Sequence, residues 1–378
     1  MQPWSGELLA AQTALFAPQH IGWLGADSAA SVVLNRTHLM WLWGDTLLGS
    51  STSHRRRINH FVHGTIALQE RTLDAQRNAP SFYVRSLPGA TETPDPDGFF
   101  QPGGNSSAHG GVYYWMVNAA TLAVAGEDDH AWPTLLLAQA MSPVGMLRQL
   151  GTDVVLLYPD PSLPPAHWSY TTSRIPQSSP DISFNTGVLL EPDGYVYMLG
   201  GRTSRPFGPT VQQLLARIPR AALTRYEWNA MHFWGAGVGW VSQVDRATAI
   251  FDGGYTEGSF GHLGLAYYFV GLQAFSPTIL LYTAERLTGP WVSQPLYELP
   301  PLPTNATIAY AAKTHPALRE LVVDRAQANG IDGAGSAMSG STGGREDAAL
   351  LVTYNTNDAS GEWSSLKSSM LTHACLLA

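Results

Sequence analysis

Apolar positions in this chain fall in short runs, some alternating with polar residues and some continuous, and Gly, Pro, Ser and Asp interrupt them at close intervals. Runs of this length, rich in aromatic and β-branched residues, read as β-strands rather than helices. The clearest unit spans Asp252 to Trp291. A lone carboxylate, Glu257, and two small residues precede an aromatic strand, AYYFVGL from Ala266. A turn at Ser276-Pro277 leads to TILLYTAE, and Leu287-Thr288-Gly289-Pro290-Trp291 closes the unit. Four comparable apolar segments occur elsewhere: LMWLWGD from Leu39, VYYWMVN from Val112, YVYMLGG from Tyr195 and ALLVTYN from Ala349. The five starts are 73, 83, 71 and 83 residues apart. That step exceeds the roughly 40–50 residues of WD40 and kelch repeats. It suits larger four-stranded blades closed into a ring. The expectation is an all-β chain forming one domain over residues 1–378, a five-bladed β-propeller of four-stranded antiparallel blades. The blades are placed near residues 20–75, 100–155, 156–225, 228–292 and 300–378. Helical patterning is weak; Thr210–Ile218 and Pro316–Asn329 are its best cases.

Composition narrows the function classes. Charged residues make up 13% of the chain, about half the usual roughly 25%. A formal charge of −8 argues against nucleic acid, whose phosphates need a basic face. No apolar run of 18 or more residues suggests membrane insertion, and the first residues lack the basic start and apolar core of a secretory signal. The single Cys375 excludes an internal disulfide and any multi-cysteine zinc site. Three sequons, at Asn35, Asn105 and Asn305, are read as chance matches in a chain rich in Ser, Thr and Asn. The Gly/Ser-rich stretch Gly330–Asp347 reads as a loop.

Polar residues beside the strands are the candidates for chemistry. Asp27 precedes one apolar strand and Asp45 ends the next, where it either meets a ligand or holds a turn. Glu191-Pro-Asp193-Gly194 reads as a hairpin turn. His60 and His63 have a spacing seen in metal sites, but no further ligands accompany them, so a solvated loop or polar rim is the better reading and no metal site is assigned. His315, in KTHPAL, is a candidate polar group on the wall of a central funnel, although a lone His is more often structural. Trp41, Trp43, Trp115 and Trp234 alternate as core residues do; one or two could stack on sugar rings, and Trp234 is the one retained as a binding candidate.

These segments resemble the five-bladed β-propeller glycoside hydrolases of family 43 and related arabinan- and xylan-acting groups. TEGSFGHLGLAYYFVGL and AERLTGPW follow the order of that family's acidic residue, aromatic strand and closing LTGPW. GADSAASVVL before LMWLWGD looks like the family's first-blade motif and puts its catalytic aspartate on Asp27. SFNTGVLLEPDGYVYMLGG looks like the third-blade motif, but its aspartate falls on Asn185. WGDT, ARIPRAAL with FWGAGVGW, and AKTHPAL with LLVTYN also look like secreted propellers that include endo-D-arabinanases. The resemblance implies an inverting glycosidase of an arabinan-like or other wall polysaccharide, secreted or extracytoplasmic. Glycoside hydrolysis uses two carboxyls, one on each side of the scissile bond. Glu257, with aromatic neighbours to desolvate it, is expected as the general acid and Asp27 as the general base. Asp45, Asn185, His315 and Trp234 are expected to bind substrate. No cofactor is required, and the resemblance allows a structural calcium in the axial channel. The partner is a carbohydrate, with neither nucleic acid nor membrane insertion. Asn185 cannot supply the negative charge the family uses to tune its acid, which keeps a non-catalytic, lectin-like propeller as the alternative. A scaffold for protein partners is the third reading.

Overall fold

The computed structural model describes residues 6–8, 16, 21–52, 56–72, 79–85, 98–103, 111–123, 132–144, 148–203, 211–255, 257–263, 265–273, 276–299, 306–316, 318, 350–358 and 371–377. Its regular structure is almost wholly antiparallel β. The first four-stranded sheet contains Ala30–Val33 (β3), His38–Trp43 (β4), Thr65–Glu70 (β7) and Ser81–Tyr83 (β8). Beside it lies a three-stranded sheet of Ile21–Ala26 (β2), Thr46–Ser51 (β5) and Arg56–Val62 (β6). The second four-stranded sheet comprises Tyr113–Thr121 (β9), Thr134–Met141 (β10), Gln149–Tyr158 (β11) and Ser169–Arg174 (β12). A six-stranded sheet follows: Gly187–Leu190 (β13), Tyr195–Arg202 (β14), Gln212–Pro219 (β15), His232–Gly235 (β16), Gly239–Val241 (β17) and Phe251–Asp252 (β18). Gly258–Leu263 (β19), Ala266–Leu272 (β20), Thr278–Ala284 (β21) and Val292–Glu298 (β22) make the next. The last joins Ala306–Thr314 (β23), Leu350–Asp358 (β24) and Leu371–Leu377 (β25) to Gly6–Leu8 (β1), with Gly6 opposite Leu377.

The first strands of successive sheets meet one another: β3 touches β9, β9 touches β13, β13 touches β19 and β19 touches β23. Between neighbouring sheets the inward residues form separate apolar clusters. Met40, Leu42 and Ile66 pack with Tyr114 and Leu136; Leu137 and Val154 pack with Val196 and Leu214. Leu199 and Leu215 pack with Phe260 and Phe269, and Val270 and Leu281 pack with Ala312 and Val352. Each fully buried Leu or Val stabilises by roughly 1.5–3 kcal/mol, so cohesion is spread over the sheet interfaces rather than held in one core.

Two expectations need correction. The stretch Thr210–Ile218 is not helical where it is described: Gln212–Pro219 pairs with β14 residue by residue, from Gln212 opposite Arg202 to Pro219 opposite Tyr195. Eight ladder pairs outweigh a weak helical pattern. Pro316–Asn329 lies almost entirely outside the described residues. The repeat was also read one strand out of phase in the second sheet. LMWLWGD, YVYMLGG, AYYFVGL and ALLVTYN become second strands, whereas VYYWMVN becomes β9, a first strand. Second strands therefore begin at 38, 134, 195, 266 and 350, in steps of 96, 61, 71 and 84. The near-constant step came from aligning unlike strands. The Glu191–Gly194 turn forms as expected: Gly194 N donates to Glu191 O at 3.0 Å, and Gly194 has φ +81°. Asn35 also has a structural task, since its Oδ1 accepts from the Thr37 and His38 amides in the β3–β4 turn. Asn105, Asn305 and the Gly330–Asp347 stretch lie outside the described residues.

Candidate active site

Three long strands of the first unit break at one level. β2 gives way to β3 at residues 27–29, β4 to β5 at 44–45, and β6 to β7 at 63–64. Asp27, Asp45 and His63 stand in these breaks. Asp27 N donates to Asp45 O at 3.1 Å and Gly44 N to Asp27 O at 2.9 Å, which stitches the first two together. Ser28 adopts φ +54° and Gly64 φ +145°. A non-glycine residue in the left-handed region costs of order 1–3 kcal/mol and is held there only by its surroundings. The break therefore exchanges regular pairing for side chains aimed at one place. Gly44 is required for room as well: a Cβ there would run into Asp27 Oδ1 and lie 3.2 Å from Ser28 Cβ.

Glu257 reaches the same place from the residue before β19. Its Oε2 lies 2.5 Å from Ser28 Oγ and 2.9 Å from Lys313 Nζ. Ser28 Oγ is also 2.8 Å from Met116 O; the hydroxyl has one proton and serves one acceptor at a time. Lys313 is 1% exposed and also donates to Val117 O. Burial depresses the Lys313 ammonium below the usual lysine range, while Glu257 and Asp27 pull in the opposite direction. Tyr310 donates to Asp27 Oδ2 at 3.1 Å. Asp27 is held well above the usual carboxylate range, first by desolvation and then by the negative charges of Asp45 and Glu257. Asp45 Oδ1 accepts from Trp115 Nε1 at 3.0 Å and lies 2.8 Å from His63 Nδ1. His63 stacks on Tyr113, with centroids 3.7 Å apart.

The structure thus brings Asp27, Asp45 and Glu257 together. The other candidates make different contacts. Asn185 stands just ahead of β13, as Asp27 and Glu257 stand ahead of β3 and β19, but it is 1% exposed, and its amide donates to Gln139 Oε1 at 3.4 Å. His315 is fully buried, with its ring nitrogens 2.8 Å from Ser31 Oγ and 2.8 Å from Thr353 Oγ1, and it packs on Trp41. It is a core residue, and burial lowers it to about 3. Trp234 lies on β16, three strands out from β13, against Trp240. The tryptophan of the site is Trp115, because β9 is a first strand.

Lys313, Tyr310 and Ser28 were not chosen from the sequence as site residues, and His63 was read with His60 as a solvated loop or a polar ligand rim. The signal for Lys313 was there: it is the one charge in the otherwise small and apolar run IAYAAKT. Below the carboxyls a cavity of ≈ 210 Å³ is lined from all five first strands, by Ser31, Asn118, Val188, Ser259, Lys313 and Thr314 among others. Calcium favours carboxylate and carbonyl oxygens. A cavity lined by an ammonium and no carboxylate does not fit the structural calcium that the resemblance allows. Among the described residues no group of three or more His, Cys, Asp or Glu side chains could hold a metal ion.

An all-β chain with carboxyls converging ahead of its first strands is the class this architecture defines. The chain belongs to the family described as a domain of unknown function, DUF5005, whose profile matches residues 12–326. No curated protein sequence matches it. Among solved structures it is similar to a provisionally assigned hydrolase of Bacteroides ovatus ATCC 8483, with 16% identity and TM-score 0.69, over 98% of this chain and 90% of that one. Family 43 glycoside hydrolases, the group its motifs resemble, also match. One is a Xanthomonas citri enzyme complexed with xylotriose, at 12% identity and TM-score 0.47, over 98% and 93% of the two chains. Another is a Bacillus licheniformis protein at 11% and 0.42, over 94% and 51%. The likeness to the Bacteroides protein is one of fold.

Proposed function

We propose that this protein is a glycoside hydrolase built as a five-bladed β-propeller, with Asp27 and Glu257 as its catalytic carboxyls. Counting the three-stranded sheet as an outgrowth of the first blade gives five units. The ring reading is supported by the successive contacts of their first strands and by the Ser31–His315 hydrogen bond between the first and last. The observation that carries the function is the meeting of three carboxyls from two distant parts of the chain, within reach of aromatic side chains. Collecting like charges is unfavourable, and a strongly perturbed carboxyl such as Asp27 is a candidate mark of a functional site. Fold alone would not license this reading.

A wall polysaccharide such as an arabinan is the substrate class we propose, with the enzyme acting outside the cytoplasm and inverting configuration. Trp115 and Tyr113 offer faces for sugar rings. The test is incubation with arabinans, xylans and aryl glycosides, following product anomers by proton NMR, with Asp27→Asn as the control. Wild-type cleavage that the variant loses supports the reading. Binding without cleavage would instead make the protein a lectin-like relative.

A further inference from the structure

We propose that this protein carries a second glycan-binding site, remote from the carboxyls: a neutral, aromatic cavity between the first and second sheets that takes one sugar ring of the polysaccharide. The choice of ligand rests on the hydrolase reading, to which it adds a place where the polymer is held without being cut.

The cavity has a volume of ≈ 230 Å³ and lies at the far ends of the strands that begin at the candidate active site. β9 starts at Tyr113, which stacks on His63, and ends at Thr121, opposite the cavity residue Thr134. β9 is nine residues long, so at roughly 3.3 Å per residue its ends stand about 26 Å apart. Trp132, Tyr158 and Trp168 wall the cavity, and Pro159, Pro161 and Pro165 stiffen the loop between the last two. That loop is tied down further. Trp168 Nε1 lies 2.8 Å from Asp160 O and 3.2 Å from Leu163 O, and Ser162 N donates to Asp160 Oδ1 at 2.9 Å. The Arg220 guanidinium sits 3.8 Å from the Trp132 ring centre and donates to Leu122 O at 2.9 Å, which fixes the indole. The walls are thus set before a ligand arrives, which lowers the entropy cost of binding. Tyr158 and Leu163 are nevertheless 40% and 43% exposed, so the cavity opens to solvent.

Its chemistry selects the occupant. Among the described residues that line it there is no Asp, Glu, Lys or Arg, so neither a phosphate nor a cation finds a counter-charge. Aromatic walls suit the C–H faces of a sugar ring. Hydroxyls need polar partners, and the cavity supplies them. Asn35 Oδ1 accepts from the Thr37 and His38 amides, which identifies the oxygen and leaves Nδ2 as a donor. His38 uses Nδ1 on Thr37 Oγ1 at 2.9 Å and keeps Nε2. Among the described residues none hydrogen-bonds Asn35 Nδ2, His38 Nε2 or the Tyr158 hydroxyl. A few convergent polar groups in an apolar hollow is the usual form of a small-ligand site. A proline-rich peptide is the other neutral ligand that aromatic walls accept, but it lies along an extended groove, whereas this cavity is sized for one ring. A polymer held here has its other segments concentrated around the carboxyls, as in any two-point attachment.

The test separates holding from cutting. Tyr158→Ala removes a half-exposed wall, and Asn35→Asp keeps the acceptor that closes the β3–β4 turn while deleting the donor. In an Asp27→Asn background, which prevents cleavage, affinity for arabinan and xylan is measured by calorimetry and affinity electrophoresis. Each variant should weaken binding about 2- to 10-fold. With Asp27 intact, each should raise KM on the polymer, while hydrolysis of a small nitrophenyl glycoside, which needs only the carboxyls, stays at the wild-type rate. Polymer affinity that either variant leaves unchanged overturns the second site. So does binding of a labelled decaproline peptide that Tyr158→Ala abolishes without touching polysaccharide affinity. Cleavage by wild type with unweakened variants removes this site and spares the hydrolase reading. Binding that the variants lose, in a protein that cleaves no glycoside, does the reverse, and neither binding nor cleavage removes both.

Discussion

Tyr310 and Lys313 stand three residues apart on one strand, yet they serve neighbouring carboxyls: Tyr310 donates to Asp27 and Lys313 pairs with Glu257. In a regular strand such residues point to opposite faces. Here the register of β23 against β24 shifts between Tyr310 and Lys313, and Ala311 takes φ +57°. One bulge turns both side chains to the same site, as bulges near active sites commonly do. Ala311 is 1% exposed, so Ala311→Val should destabilise by about 1–3 kcal/mol through backbone strain and crowding and lower turnover. Ala311→Gly should be tolerated. Urea unfolding and activity assays check both, and a stable, active Val variant would show that the bulge does not organise the site.

Two substitutions should move the acid limb of kcat/KM in opposite directions. With Asp27 as the general base, activity is lost as pH falls through its folded-state pKa. The Tyr310 bond lowers that pKa and the Asp45 charge raises it. Tyr310→Phe should therefore shift the limb to higher pH and Asp45→Asn to lower pH. Shifts of the same sign in both would contradict the assignment.

Gly44→Ala puts a methyl group where Asp27 Oδ1 now lies. The carboxyl must move, so turnover should fall at least about tenfold while stability drops by only about 1–3 kcal/mol. Assays beside thermal melts separate the two effects; an unchanged kcat would mean that Asp27 does not need its present position.

His315 makes its own contribution to acid stability. Its folded pKa is lowered to about 3, against about 6.5 unfolded. The unfolded chain thus binds the extra proton between those values, so stability from this group is complete above about pH 6.5 and is lost as pH falls toward 3. The local slope approaches about 1.4 kcal/mol per pH unit. His315→Gln should flatten the dependence of stability on pH over that window. Melting curves from pH 4 to 7 that run parallel in wild type and variant would argue against a neutral, buried imidazole.

Asp27 and Glu257 were legible in the sequence because each is a lone carboxylate, flanked by small residues, directly ahead of an apolar stretch. Strands were legible from the same runs. What the residues did not reveal was phase and partnership. Tyr113–Thr121 has the aromatic look of a second strand, and only pairing with Thr134–Met141 identifies it as a first strand. Gln213 is fully buried within β15, a polar interior position that pattern reading takes for a helix's outer face. Lys313 hides in β23 because sequence position cannot tell that a bulge will turn it toward a carboxylate from another sheet. Asn185 was correctly placed ahead of a strand, but burial against Gln139 depends on the neighbouring sheet.

The pairing of Gly6–Leu8 with Leu371–Leu377 also constrains how the molecule comes into being. Gly6 must wait for Leu377, 371 positions further along the chain (377 − 6), so this contact has a very large sequence separation and is slow to form. During synthesis the earlier sheets can assemble in turn, each covering the apolar face of the one before, while β1 remains without its neighbour. Until that late zipping occurs, β25 presents an open edge to other chains. Misassembly is therefore concentrated in the interval before β1 and β25 have joined, and a chain cut before Leu371 would leave β24 uncovered and be prone to join its copies edge to edge.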